Sequence, residues 1–177
     1  MEQKCIDCLP ESVKNGFLGS SYFWYYIILT IIIIFLSVSL MDTKSEWYQS
    51  LKKPMGLPSD NVFKFVWAFL YLIIFIGVVI AGSNVKNINS GCVAIGYTLL
   101  LLMTLLWIIS FSMYEMIFIS NLYLVISLIF AIWVAWLVTP KRTGKNIFPV
   151  IAFGLLALWL IYANYLGWSI QYLNPTS

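Results

Sequence analysis

The chain contains no histidine. That excludes Ser-His-Asp and Cys-His nucleophile systems, histidine-ligated zinc or iron, and histidine proton relays. Cysteine is nearly as scarce, with only Cys5, Cys8 and Cys92. The Cys5-x-x-Cys8 pair has the spacing of half a zinc site, but a structural zinc needs four nitrogen or sulfur ligands. With one further thiol, no metal site is expected, and the pair reads as two ordinary cysteines in a tail. Charge is thin as well: 10% of the 177 residues are charged, against about 25% in an average soluble domain. The net charge of +3 is scattered. No basic stripe of the kind that follows a phosphate backbone is present, which excludes nucleic acid as a partner.

What fills the chain instead is hydrocarbon, at 62% hydrophobic residues. About 20 apolar residues cross a bilayer as a helix. Tyr22–Met41 and Val62–Ala81 each meet that length, with Lys64 near the start of the second, where its ammonium can snorkel to the headgroups. Residues 92–138 carry a single charge, Glu115. As one helix they would extend about 70 Å, more than twice the hydrocarbon thickness. The run must fold back, and the cluster Ser110, Ser112, Tyr114 and Glu115 is the place to turn. The expectation is an all-α integral membrane protein, a five-helix bundle with spans near 22–41, 62–81, 92–112, 117–138 and 147–171. A tail precedes it at 1–21, and residues 42–61 join the first two spans. The first run exceeds the 7–15 residues of a signal-peptide core and lacks a basic leader, so it is kept as a span. Six of the Lys and Arg residues fall on the N-terminal side and four on the other, a small bias toward a cytoplasmic N-terminus.

The most heavily patterned segment is a connection. Between Trp47 and Tyr71 the chain reads WYQSLKKPMGLPSDNVFKFVWAFLY. Pro54 and Pro58 fix φ and reduce the entropy lost on ordering, and Gly56 and Ser59 supply turn chemistry. Trp47 and Tyr48 suit headgroup depth. By itself the segment fits either an interfacial loop with aromatic anchors or a semi-rigid lid. Phe63, Trp67, Leu70 and Ile74 then share one face of the second span, with Tyr71 beside them, and Trp159, Ala163, Leu166 and Ile170 share a face of the fifth, flanked by Tyr162. Trp136 and Trp168 fit an interfacial belt. Gly77-x-x-x-Ala81 and Cys92-x-x-x-Gly96 have the spacing of close helix packing, within a bundle or between copies.

The pattern Trp47-Tyr48-x-x-Leu51-x-Lys53-Pro54-x-x-x-Pro58, followed by Phe63-x-x-Val66-Trp67-x-x-Leu70-Tyr71, resembles the signature of the TspO/MBR family of tryptophan-rich sensory and translocator proteins. The fifth run, LWLIYANYLGWSIQYLN, is similar to that family's last helix at Trp159, Ala163, Leu166 and Asn174. The likeness covers roughly residues 22–174. It departs at Ser59, where the family has a second proline, at Thr104 before Trp107, at Ser110 and Phe111, at Tyr123, where the family often has an aspartate, and at Leu155-Leu156. No Lys or Arg follows Lys145, so the sterol-type motif of some members is absent.

The resemblance implies an ordered loop closing a ligand pocket in the bundle. The residues it implies are Trp47, Tyr48, Leu51, Lys53, Pro54 and Pro58 from the loop, and Phe63, Trp67, Tyr71, Trp107, Trp159, Tyr162 and Ala163 from the spans. The implied ligand is a porphyrin such as protoporphyrin IX, stacked on indoles, with Lys53 or Lys64 pairing a propionate. Without histidine, a metal-free porphyrin fits better than heme, and no cofactor is required. Function is then expected as a tetrapyrrole-binding sensor or carrier. The alternatives are a light- and oxygen-dependent degradation of porphyrin, with Trp67 and Trp159 as redox partners, and a transporter of small solutes or sterol-like lipids. Expected partners are the bilayer, the tetrapyrrole and a second copy through the third span. Bacterial and mitochondrial outer membranes are the locations the resemblance implies.

Overall fold

The computed structural model describes residues 21–83, 90–139 and 147–175. The tail with Cys5 and Cys8 lies outside them, as do Lys86, Lys141, Arg142 and Lys145 of the charge count. Five long helices account for the apolar runs: α1 (Ser21–Leu40), α3 (Asp60–Ser83), α4 (Ser90–Ser112), α5 (Ile117–Leu137) and α6 (Phe148–Leu173). Each is long and apolar enough to cross a membrane. A sixth, α2 (Glu46–Ser50), is a single turn within the first loop. Sequence periodicity does not announce so short a helix, and it forms because Ser45 caps it, its Oγ accepting from the Tyr48 N–H at 3.3 Å. The 92–138 run does fold back. Its helix ends at Ser112 and resumes at Ile117, with Glu115 at φ 57 between them.

The long helices close a ring. α1 packs on α3 and α4, α3 on α6, α6 on α5, and α5 on α4. The second and fifth spans are thus neighbours, while the chain's own order runs round the other side. Between helices, lipid tails supply no hydrophobic drive, so close packing and interhelical hydrogen bonds hold the ring. Gly96 on α4 lets α5 approach, since a Cβ there would lie 2.8 Å from Val134 Cγ2 and 3.1 Å from the Trp133 ring. Gly77 on α3 plays the same part toward Ala152 of α6. Both small residues singled out by spacing therefore work inside the bundle. Thr30 on α1 and Tyr97 on α4 share a buried hydrogen bond of 2.7 Å, and the Tyr26 and Tyr97 rings meet edge to face at 5.3 Å.

Candidate functional site: a pocket beneath the first loop

Five chain segments meet at one end of the ring: the C-termini of α1, α4 and α6 and the N-termini of α3 and α5. The first loop lies across them. Tyr48 and Leu51 are buried against Ile117 and Ile170, with Trp47 and Phe111 packed alongside. Trp47 and Tyr48 both meet Phe111 edge-on, at 5.2 and 6.1 Å. Burial raises the Tyr48 hydroxyl above its ordinary pKa, and the nearby Asp60 carboxylate adds to the rise. The phenol stays neutral through the physiological range.

Two polar ties hold the loop down. Asn174, at the end of α6, uses its whole carboxamide. Its Oδ1 accepts from the Lys52 N–H at 3.0 Å, and its Nδ2 donates to the Lys52 carbonyl at 3.0 Å and to the Ile170 carbonyl at 2.8 Å. The second tie runs from the Tyr162 hydroxyl to the Gly56 carbonyl at 2.5 Å. Gly56 sits at φ 91 in the turn closed by Leu57 N–H on the Pro54 carbonyl, a turn whose third position favours glycine. Asn174→Ala removes both bonds to Lys52 and should cost about 1–3 kcal/mol of loop docking, at about 0.5–1.5 kcal/mol per bond. Amide hydrogen exchange would show Lys52 and its neighbours exchanging faster while α3 to α6 stay protected. Equal protection in the variant would show that the apolar contacts alone hold the loop.

Under the loop is a cavity with about 60 Å³ in which a water's centre fits. One water needs about 10–15 Å³, so the space takes a few waters but not a macrocycle while the loop is down. Tyr48, Pro58, Phe63, Trp107 and Ala163, all expected from sequence, line it. Trp67 and Tyr71 line a smaller adjoining cavity of about 20 Å³ between α1 and α3, together with Lys64 and Ser37. Trp159 lines neither of these, but completes a cluster of rings. Trp67 stacks on Trp107 at 5.3 Å and 28°, Phe63 lies 5.7 Å from Trp159 and 6.1 Å from Trp107, and Trp67 meets Trp159 edge-on at 6.4 Å. The indole N–H groups of Trp67 and Trp159 are buried without acceptors. Lys53 is exposed, its Nζ 4.2 Å over the Tyr48 ring. Pro54 is outside the pocket, in an outward groove with Trp168 and Tyr172.

Several lining residues were not legible as site residues. Asp42, Thr43, Asp60, Phe111 and Ile170 also line the cavity, and Asn121 faces Gly167 across the α5–α6 contact. Motif comparison points to Tyr123 as the polar position of this helix. The structure puts Asn121, two residues earlier, at the cavity, and packs Tyr123 half-buried against the core. An asparagine within an apolar span is the signal that could have found it, since such residues face the bundle interior.

The fold and site define a multi-pass integral membrane protein, a ring of five helices with a loop-capped pocket at one end. Its sequence matches the model of the TspO/MBR family over residues 26–173, and the chain belongs to that family. No curated protein matches it significantly in a direct sequence search.

Proposed function

We propose that the pocket binds a flat tetrapyrrole and that the protein acts as a membrane-embedded sensor or carrier for it. The observation that carries this reading is the contiguous cluster of Phe63, Trp67, Trp107 and Trp159 beneath a loop tied down through Asn174 and Tyr162. Aromatic faces offer offset stacking to a planar macrocycle, and the two unpartnered indole N–H donors offer hydrogen bonds to its acceptors. Buried donors left unpaired are costly to the closed form, which favours a state in which a ligand reaches them.

Entry requires the loop to lift, because the closed cavity is smaller than the ligand. Loop motions of this kind complete many binding sites. With the macrocycle seated, its carboxylate edge would lie outside the cavity lining, within reach of the exposed lysines Lys52 and Lys53 once the loop lifts. Titrating the detergent-solubilised protein with protoporphyrin IX should quench tryptophan emission saturably at one porphyrin per chain. Quenching that rises linearly without saturation, as from partition into detergent, would overturn the reading.

A further inference from the structure

Asn121 is 1% exposed, yet neither its Oδ1 nor its Nδ2 has a hydrogen-bond partner. A buried carboxamide with donor and acceptor both unpaired is rare enough to require an explanation. It lies at the pocket wall, and the wall is shaped to admit it: a Cβ built on Gly167 would overlap Asn121 Oδ1. The glycine leaves room for the amide, and no protein group there bonds it. Ser120 and Ser127 on the same helix behave differently, their hydroxyls donating to the Ile117 and Tyr123 carbonyls at 2.7 and 2.8 Å.

The rest of the lining limits what that pair can take. It includes no Lys or Arg, and its charged members are Asp42 and Asp60. An ionised carboxylate would find no cation inside and two like charges in the lining. A carboxylate also offers only acceptors, which would leave Asn121 Oδ1 opposed to another oxygen. The complement of a primary amide is a neutral edge with one N–H and one C=O side by side. Such an edge is a cis-amide, the lactam of a planar heterocycle.

We propose that Asn121 recognises a planar ligand through a lactam edge, the ligand N–H donating to Oδ1 and its carbonyl accepting from Nδ2. This rests on the reading that the pocket takes a flat ring system, and it adds which edge of the ligand points inward. The charged edge, where there is one, faces the mouth, and the neutral amide edge faces α5 and α6.

The test compares quinolin-2(1H)-one with N-methylquinolin-2-one, which keeps the ring and carbonyl and loses the donor. Binding to the full-length protein in detergent is followed by quenching of tryptophan emission. The wild-type protein should prefer the N–H compound by about tenfold, the worth of the one hydrogen bond that N-methylation removes. Asn121→Leu should bring the preference close to one, while Trp168→Leu retains it. Because leucine removes two orphaned polar atoms, the variant should melt no lower than wild type. A wild-type protein without preference, or one that binds neither probe, overturns the proposal even if Asn121→Leu fails to fold, and so does a preference that survives Asn121→Leu. Protoporphyrin IX run in parallel separates the two readings. Lactam preference without porphyrin binding sinks the tetrapyrrole reading alone, and porphyrin binding without lactam preference sinks this one alone.

Discussion

Trp67→Ala should be the most destabilising single truncation near the pocket, at about 3–5 kcal/mol, the usual cost of emptying a buried tryptophan site. Trp67 is 4% exposed, and its ring meets Phe63, Tyr71, Trp107 and Trp159, all at centroid distances between 5.3 and 6.4 Å. Those partners come from α3, α4 and α6, so the cavity left behind cannot collapse by moving one helix. Trp168 is the control. It is 37% exposed and its ring meets only Phe118 among the described ring contacts. Trp168→Ala should stay within about 0.5 kcal/mol, as for most surface changes. Unfolding in mixed micelles measures both. Equal losses would mean that the ring cluster is no more tightly packed than the interfacial belt.

The second large effect is a reversal of sign. Gly167 lies inside α6, where alanine would ordinarily stabilise by about 0.5–1 kcal/mol. Here the new Cβ would overlap Asn121 Oδ1. Asn121 has a short side chain and must change rotamer against its buried surroundings, and overpacking of this kind costs about 1–3 kcal/mol. Overpacking therefore exceeds propensity, and Gly167→Ala should destabilise the wild-type protein. In an Asn121→Ala background the obstacle is gone, and the same substitution should stabilise. The double-mutant cycle should report a coupling of about 1–3 kcal/mol, within the range for touching residues. Additive effects would place Asn121 away from Gly167.

Five membrane spans could be read directly, because hydropathy and length alone decide what crosses a bilayer. The arrangement of those spans into a ring could not. Lipid-facing and core-facing positions are equally apolar: Phe65 is 69% exposed, whereas Trp67 two residues on is buried. In water such a contrast would show as a polar stripe, but here both faces carry hydrocarbon. The loop was legible for a different reason. Its prolines, glycine and aromatic anchors are needed for backbone geometry and depth rather than for hydrophobicity, so they stand out in composition. What holds the loop was not legible, since Asn174 and Lys52 are 122 positions apart and no local pattern links them. Asn121 escaped notice because one amide in an apolar run changes neither hydropathy nor period. Its significance lies in a partner it lacks and in a Cβ that Gly167 lacks, and both are visible only in three dimensions.

The central claim is that the ring cluster under the first loop is where a planar ligand stacks. Porphyrin titration of three proteins tests it most directly: wild type, Trp67→Leu and Trp168→Leu. Leucine keeps much of the buried volume and removes an aromatic face worth about 0.5–1.5 kcal/mol beyond its area. Porphyrin affinity should therefore fall several-fold in Trp67→Leu and remain near the wild-type value in Trp168→Leu. Equal weakening by both substitutions, or by neither, would contradict the account and place the ligand outside this cluster.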